Sequence, residues 1–337
     1  MERISVLGAG SWGTALARLL CNNGHEVTMW SALPEEIRAL RADHENREKL
    51  PGVPLPERMR FTEDLKEAVT DRDILLLAVP SGFVRSTTAR LHDIIPDGQI
   101  IVNVAKGIEE STLKTLSEVI EDELPTANVV VLSGPSHAEE VGRDIPTSIV
   151  AGAHRKTTAD YIQNTFMSES FRVYTSPDLL GMELGAALKN VVALAAGIAD
   201  GLGYGDNTKA ALITRGMAEI TKLGVEMGGR AETFAGLSGI GDLIVTCGSM
   251  HSRNRRAGIL IGQGHSYEEA MAEVKQVVEG VYSAKAALRL AHKYHVELPI
   301  CEQVNAVLFE GKDAGEAVRE LMLRDKKIEN NDILWRT

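Results

Sequence analysis

The sequence predicts an α/β fold, with a parallel sheet in the N-terminal half and an all-helical C-terminal domain. Short β-branched runs alternate with helical patterns as far as about residue 175, which is the rhythm of βαβ units. After Ser176-Pro177, long Ala- and Leu-rich helical patterns broken by glycines replace them. Because 337 residues exceed the size at which one hydrophobic core stops growing, we expect two domains, residues 1–178 and 179–337.

The predicted strands of the first domain are short apolar runs. The run Ile74–Val79 is apolar at successive positions, which favours a strand covered by helices on both faces. Between the strands, Thr14–Cys21 and Thr112–Glu121 have helical patterns. The full set of predicted strands is Ile4–Leu7, Glu26–Trp30, Ile74–Val79, Ile100–Val104, Val129–Leu132, Ser148–Ala151 and Phe171–Tyr174.

The most apolar stretch of the chain, residues 179 to 203, opens the second domain. It contains Glu183, Lys189 and Asp200, which are too many charges for an ordinary transmembrane span. We therefore expect a buried core helix here and no membrane span.

Net charge and cysteine spacing indicate which partners and which cellular compartment to expect. A net charge of -11 opposes binding to a phosphate backbone, so we expect a small-molecule substrate and no nucleic acid. The three cysteines form no C-x-x-C pair, which argues against a disulfide framework and a zinc knuckle. No basic and apolar leader precedes the first predicted strand, and together these features predict a cytoplasmic protein.

A glycine-rich turn connects the first predicted strand to an Ala-rich helix. Gly8 permits the tight turn, Gly10 lets the backbone approach a pyrophosphate, and Gly13 allows the helix to pack closely on the strand. The N-terminus of the helix adds N–H groups and a partial positive charge. A tight turn without a ligand is the alternative, but this context predicts a Rossmann-like domain that binds NAD or NADP.

The choice between NAD and NADP stays open. The second predicted strand ends in Trp30-Ser31-Ala32-Leu33, without the acidic residue that commonly holds the ribose 2′-OH of NAD. Arg38 or Arg41 could contact the 2′-phosphate of NADP, although arginines on an exposed helix are more often solvated.

Two lysines are candidate catalytic residues. Lys106 follows the strand Ile100–Val104, at the edge where ligands bind in open α/β sheets, although a surface lysine is the alternative. Lys189 lies in an apolar helix and has no acidic residue one turn away, so no ion pair within the helix explains its charge. Burial would lower its pKa toward neutrality, as a general acid or base requires, whereas snorkelling to the surface is the alternative.

Three further features carry polar groups. Asp242 lies between a glycine turn and an apolar run, where a functional carboxylate and a helix N-cap are equally open. The densest basic cluster, residues 251–256, mixes arginines with Ser and Asn and suits a phosphate, a solvated loop being the alternative. His292 and His295 are not joined by carboxylate or cysteine ligands in a recognisable pattern, so we expect no metal site.

Taken together, six segments resemble the bacterial form of NAD(P)-dependent glycerol-3-phosphate dehydrogenase, and they span nearly the whole chain. They are Gly8-Ala-Gly-Ser-Trp-Gly-Thr-Ala, Ala105-Lys-Gly-Ile-Glu, Leu132-Ser-Gly-Pro-Ser-His-Ala, Ala187-Leu-Lys-Asn-Val, Gly239-Ile-Gly-Asp-Leu and Ser252-Arg-Asn-Arg-Arg. The resemblance implies reversible hydride transfer between C2 of sn-glycerol 3-phosphate and nicotinamide, giving dihydroxyacetone phosphate. It also implies a supply of glycerol 3-phosphate for phospholipid synthesis, and a homodimer.

The resemblance also implies a role for individual residues. Lys189 exchanges a proton with the C2 oxygen, Lys106 contacts substrate and cofactor, and Asp242 orients the lysine pair. Ala32 departs from the family pattern, in which a basic or imidazole side chain is common. The implied substrate residues are Lys106, Gly134, Ser136, Lys189, Asp242, Ser252, Arg253 and Asn254. The implied cofactor residues are Gly8, Gly10, Ser11, Trp12, Gly13, Lys106, Ala138, Arg253, Val277 and Glu279.

Two rival functions share some of these features. A related two-domain hydroxy-acid dehydrogenase would have the same glycine-rich turn and a lysine in the helical domain, but a carboxylate substrate needs fewer donors than the basic cluster offers. A non-catalytic NAD(P)-binding sensor would bind the cofactor without turnover.

Overall fold

An eight-stranded sheet forms the centre of the first domain in the computed structural model, which describes residues 1–326, 328 and 329. The strand order is β3-β2-β1-β4-β5-β6-β7-β8. Strands β2 and β3 are thus added on one side of β1, and the later strands are added on its other side, beginning with β4. The strands are β1 Arg3–Leu7, β2 Glu26–Trp30, β3 Arg60–Thr62, β4 Ile74–Leu77, β5 Ile100–Asn103, β6 Asn128–Ser133, β7 Thr147–Ala153 and β8 Phe171–Ser176.

All seven predicted strands are present, with ends that differ by at most two residues. Strand β3 was not predicted, because a strand of three residues, Arg60–Thr62, is too short to produce a recognisable pattern. It pairs with β2 at the edge of the sheet.

The sheet departs from a fully parallel arrangement at one place. β7 pairs antiparallel with β6, whereas β8 is again parallel to β7. The connection from β6 to β7 contains only the four-residue helix Ala138–Val141, which is too short to return the chain along the length of a strand. The βαβ rhythm of the sequence did not reveal this reversal.

Helices cover both faces of the sheet. The predicted helix Thr14–Cys21 lies within the observed helix Ser11–Asn22. The predicted start at Thr112 is wrong: Thr115 and Glu118 form a capping box, and the helix begins at Leu116. The helices of the first domain are α1 Ser11–Asn22, α2 Pro34–Asp43, α3 Leu65–Val69, α4 Val84–Ala89, α5 Leu116–Glu123, α6 Ala138–Val141 and α7 Lys156–Phe166.

The second part of the chain is helical, as predicted, in its described residues. Residues 327 and 330–337 of the predicted second domain lie outside the described residues. The helices are α8 Leu179–Gly201, α9 Asp206–Glu226, α10 Ala231–Phe234, α11 Asp242–Gly248, α12 Arg253–Gly262, α13 Tyr267–Val274, α14 Glu279–Tyr294, α15 Pro299–Phe309 and α16 Ala314–Met322.

The long helix α8 is the core of this helical part. By length and composition it could cross a membrane, but 94% of its most apolar window is buried inside the protein. Helices α9, α12, α14 and α15 pack around it. An all-round apolar surface is what a helix buried on every side requires, and the predicted buried core helix is confirmed.

Glycines bring α8 and α12 into backbone contact. A Cβ on Gly197 would lie 2.2 Å from the carbonyl oxygen of Arg255, and a Cβ on Gly258 would lie 2.2 Å from that of Leu194. Gly201 and Gly262 make the equivalent contacts one turn further along. Only glycine at these four positions lets the two helices approach so closely.

The helical part packs directly on the sheet. Leu179 and Met182, at the start of α8, form an apolar cluster with Val131 and Val150 of the sheet. The loop that follows β5 inserts Ile108 into the core of the helical part. These contacts fix the sheet and the loop after β5 against the helical part.

Candidate active site

Lys106 lies in the loop that leaves β5 at the carboxyl edge of the sheet. Asn103 shapes this loop, since its side chain accepts a hydrogen bond from the Ala105 amide at 3.1 Å. The Lys106 ammonium donates to the Asp242 carboxylate at 2.7 Å and to the Gly134 carbonyl at 3.1 Å. Lys106 is therefore not a free surface lysine, because it bridges the sheet edge and the helical part.

Lys189 lies on α8 with its side chain only 5% exposed, which excludes the snorkelling alternative. Its Nζ lies 2.8 Å from Oδ1 of Asp242 and donates to Oγ1 of Thr246 at 2.6 Å. The partner thus comes from another helix, as the absence of an acidic residue one turn away predicted.

Asp242 is the first residue of α11 and is 1% exposed. A π-helical turn, Leu237–Gly241, leads into it, and no side-chain cap bond is present at the start of the helix. One carboxylate oxygen meets Lys106 and the other meets Lys189. The N-cap alternative is therefore wrong, and the carboxylate is the shared partner of both lysines.

Burial and the like charge nearby set the protonation of this cluster. Burial lowers the pKa of Lys189 to about 8, with a further lowering from Lys106 and an opposing pull from Asp242. Burial alone would raise the pKa of the Asp242 carboxyl, but the ammonium groups of Lys106 and Lys189 outweigh it and hold this pKa below its usual value. The site therefore combines a permanent carboxylate with a lysine that can exchange a proton near neutral pH.

The segment after β6 lies against the same cluster. The Gly134 carbonyl accepts from Lys106 and also from Oγ of Ser136 at 2.9 Å. Gly134 has a φ of +154°, and a Cβ there would meet Ile149 at 3.1 Å. His137, next in the chain, has a pKa lowered by burial and by the positive charge of Lys189.

The basic cluster forms the start of α12. Ser252 is the N-cap and accepts from the Arg255 amide at 3.2 Å. The Asn254 side chain donates a hydrogen bond to Oδ1 of Asn190 on α8 at 2.9 Å and accepts one from the Gly280 amide of α14 at 2.8 Å. It therefore joins three helices. Arg255 donates to Asp200 at 2.7 Å.

Arg253 differs from Arg255 in that no carboxylate accepts a hydrogen bond from its guanidinium among the described residues. Burial lowers its pKa, and the nearby carboxylates of Glu279 and Glu139 oppose this effect. No hydrogen bond from its guanidinium to another described residue is present, which leaves its five N–H donors available to a ligand. The helix N-terminus at residues 252–253 adds a favourable site for an anion.

The glycine-rich turn fits a dinucleotide. Gly8 has a φ of +124°, and a Cβ there would lie 2.6 Å from the Ala78 carbonyl oxygen; a Cβ on Gly13 would lie 2.3 Å from the Gly8 carbonyl oxygen. Gly10 instead faces open space, because a Cβ there would have no described atom within 4 Å other than those of the adjoining main chain. The buried indole nitrogen of Trp12 has no hydrogen-bond partner in the described chain. The open space beside Gly10 and the unpartnered donor suit a polar ligand at the start of α1.

The other cofactor residues implied by the resemblance lie on loops and helix starts. Ser11 and Ala138 begin α1 and α6, and Val277 precedes α14. Glu279 begins α14 and accepts bonds from the amide of Ser81, at 3.2 Å, and from its hydroxyl, at 2.5 Å. Burial raises the pKa of Glu279.

Three residues escaped the sequence analysis. Thr246 contacts Lys189, and its position one turn after Asp242 on α11 is a signal that could have found it. Asn190, beside Lys189 in an apolar helix, is a second polar residue without a local partner. Ser81 has no sequence signal, because its contact with Glu279 depends on how the two parts of the chain pack.

Comparison with known proteins agrees with this arrangement. The N-terminal model of NAD-dependent glycerol-3-phosphate dehydrogenase matches residues 3–159, and the C-terminal model of the same family matches residues 178–319. A glycerol-3-phosphate dehydrogenase [NAD(P)+] of Agathobacter rectalis is 63% identical over 336 residues, covering 100% of both chains. The Bacillus subtilis protein of that name is 50% identical, covering 99% of this chain and 98% of its own.

A solved structure has the same fold. Glycerol-3-phosphate dehydrogenase of Coxiella burnetii superposes with a TM-score of 0.93 at 37% identity, covering 96% of this chain and 99% of that chain. The family models, the close relatives and this structure agree along nearly the whole length. The chain therefore belongs to the NAD-dependent glycerol-3-phosphate dehydrogenase family.

Proposed function

We propose that this chain interconverts sn-glycerol 3-phosphate and dihydroxyacetone phosphate with NAD or NADP, and that Lys189, Lys106 and Asp242 carry the reaction. The observation behind this proposal is that the buried carboxylate of Asp242 contacts two ammonium groups, that of Lys106 at 2.7 Å and that of Lys189 at 2.8 Å. Two cations on one carboxylate leave a net positive charge, which suits an oxygen that becomes negative during the reaction.

Lys189 is the proton carrier in this proposal. In the oxidative direction its neutral amine accepts the proton of the C2 hydroxyl, and in the reductive direction its ammonium returns that proton. A pKa of about 8 makes both forms accessible near neutral pH. Lys106 polarises the same oxygen, and Asp242 holds both lysines in position.

The phosphate of the substrate is assigned to the start of α12. The guanidinium of Arg253 can form paired bonds to phosphate oxygens, and the helix N-terminus adds partial positive charge. Ser252 and Asn254 belong to this end of the site by the resemblance. In the structure their side chains bond to the protein, so they support the phosphate end by fixing α12. Gly134 and Ser136 are assigned to the substrate beside Lys106.

The cofactor is assigned to the glycine-rich turn and the neighbouring loops. The bound nicotinamide supplies the hydride chemistry. Gly8, Gly10 and Gly13 shape the turn, and the other residues proposed to hold the cofactor are Ser11, Trp12, Lys106, Ala138, Arg253, Val277 and Glu279.

We also propose the physiological setting. The enzyme is a cytoplasmic homodimer whose residues 1–178 bind the cofactor and whose residues 179–337 carry the substrate end. It supplies glycerol 3-phosphate for phospholipid synthesis. This setting is what the family resemblance of the sequence and the division of the sequence into two parts imply.

The test is an assay of NADH oxidation at 340 nm with dihydroxyacetone phosphate, comparing the wild type with Lys189→Ala. We expect turnover to fall at least about 1,000-fold, the contribution typical of a positioned proton carrier combined with charge stabilisation, while NADH still binds. Lys114→Ala is the matched control, because it removes a lysine that pairs with a surface carboxylate, Asp122. Near-normal kcat in Lys189→Ala would contradict the proton-transfer role. NADH binding by a wild-type protein without turnover would favour the sensor.

A further inference from the structure

A cluster of three side chains, Ser31, Glu36 and Lys49, lies at the end of β2, beside the glycine-rich turn. The register of the sheet pairs Leu7 with Trp30, and the Gly8 amide donates to the Trp30 carbonyl at 2.9 Å. Ser31 therefore stands beside the first glycine of the turn. In dinucleotide-binding domains, the side chain at this point meets the ribose of the adenosine.

The carboxylate expected at the end of β2 comes from the next helix instead. The Ser31 hydroxyl donates to Oε2 of Glu36 at 2.5 Å, and Glu36 lies in the first turn of α2 with its side chain 15% exposed. The same hydroxyl oxygen accepts from the Leu33 amide at 3.2 Å, which leaves its proton for Glu36. An acidic group is thus held at the position where the sequence lacks one.

Lys49, the cation of this cluster, is already paired with the Glu36 carboxylate. Lys49 donates to the second oxygen of Glu36, and its own amide donates to Asn46 at 3.1 Å. Asn46 in turn donates to the Ala9 carbonyl at 3.1 Å and to Thr14 Oγ1 at 2.9 Å. The pair of Glu36 and Lys49 is therefore fastened to the glycine-rich turn.

The arginines considered for a 2′-phosphate do not form such an arrangement. Arg41 donates to the Phe61 carbonyl at 2.9 Å, so its guanidinium is directed to β3. Arg38 is two residues from Glu36 on the same helix, a spacing at which side chains point to different sides.

We propose that Glu36 is the residue that selects NADH over NADPH. A ribose 2′-OH can donate a hydrogen bond to the Glu36 carboxylate, whereas a 2′-phosphate brings negative charge to the same place and is repelled. This selection rests on the cofactor position proposed above at the glycine-rich turn.

The experiment measures the dissociation constants of NADH and NADPH by isothermal titration calorimetry, without substrate. For the wild type we expect NADH to bind at least about tenfold more tightly than NADPH. Glu36→Gln removes the repelling charge and releases Lys49 for the phosphate, so the preference should shrink by about tenfold or reverse. Glu35→Gln, a neighbour on the same helix that lacks these contacts, should keep the wild-type preference.

Two further variants separate the parts of the cluster. Adding Lys49→Met to Glu36→Gln should abolish the gain in NADPH affinity. Ser31→Ala leaves the Glu36 and Lys49 pair in place but removes the hydroxyl that holds the carboxylate. It should also reduce the preference for NADH, and it tests the proposal independently if Glu36→Gln folds poorly.

Equal affinities in the wild type, tighter NADPH binding, or an unchanged preference in both Glu36→Gln and Ser31→Ala would overturn this proposal alone. A folded wild type that binds neither cofactor would overturn the proposed cofactor position as well.

Discussion

At the residue scale, Asp242 organises the chemistry of the site. Its two carboxylate oxygens each hold one lysine, and those lysines come from the sheet edge and from α8. The sequence predicted that Lys189 needs a partner from elsewhere, because no acidic residue is one turn away. Only the family resemblance pointed to Asp242 as that partner. Residue spacing could not, because the two residues are far apart in the chain and only the packing of α11 on α8 brings them together.

Arg253 is the residue that we propose to bind the phosphate of the substrate. For Arg253→Ala we expect the KM for dihydroxyacetone phosphate to rise about 30- to 100-fold, because a charge-assisted pair of hydrogen bonds to phosphate contributes about 2–3 kcal/mol. The measurement is steady-state kinetics at 340 nm.

A substrate without phosphate provides the control for this prediction. Activity on dihydroxyacetone, measured at saturating NADH because Arg253 is also assigned to the cofactor, should be weak and nearly the same in the wild type and in Arg253→Ala. An unchanged KM for the phosphorylated substrate would move the phosphate away from α12.

At the element scale, the contact of α8 with α12 determines where the basic cluster stands. The sequence predicted α8 as a buried helix from its apolar surface, and this is confirmed. The glycines of α8 and α12 gave no indication of which helices would touch, since glycine within a helix is also compatible with a simple break. In the same way, the three-residue strand β3 lacked a pattern of its own, and the pattern that predicted β7 gave no information about its direction.

We expect Gly258→Ala to lower the free energy of unfolding by about 3 kcal/mol. The new methyl group would lie 2.2 Å from the Leu194 carbonyl oxygen, so the two backbones must move apart. Urea denaturation followed by circular dichroism measures the change. Gly248→Ala is the matched control, because a Cβ on this helical glycine has no atom within 4 Å. Similar stabilities of the two variants would show that α8 and α12 are not in backbone contact.

At the scale of the whole molecule, buried polar contacts join the sheet to the helices. Glu183, at the start of the second turn of α8, accepts hydrogen bonds from the amide of Ser117, at 2.9 Å, and from its hydroxyl. Glu279 is bonded to Ser81 in the same manner, and Lys106 to Asp242. The sequence indicated two parts but could not predict these contacts, because each depends on how one part is oriented on the other.

Glu183 makes stability depend on pH. Burial raises its pKa to about 7, above the ordinary value of 4.5, so the folded protein binds more protons than the unfolded chain between these values. Stability attributable to this group is therefore complete below about pH 4.5 and is lost as pH rises through 7. Glu183→Gln stays neutral and should match the wild type at pH 5 but exceed it by on the order of 3 kcal/mol at pH 8.

Urea unfolding of both proteins at pH 5, 6, 7 and 8 measures this difference. Glu226→Gln, at the end of α9, is the control and should follow the wild type. A constant difference between Glu183→Gln and the wild type across this range would mean that Glu183 is ionised in the folded protein at every pH.

The glycine contact between α8 and α12 has one more consequence. Lys189 belongs to α8 and Arg253 to α12, so the distance between the proposed proton carrier and the proposed phosphate-binding residue is set by two main chains in contact. Side-chain substitutions elsewhere in the protein should therefore change this distance little. We therefore expect the site to select substrates by the number of bonds between the reacting carbon and the phosphate.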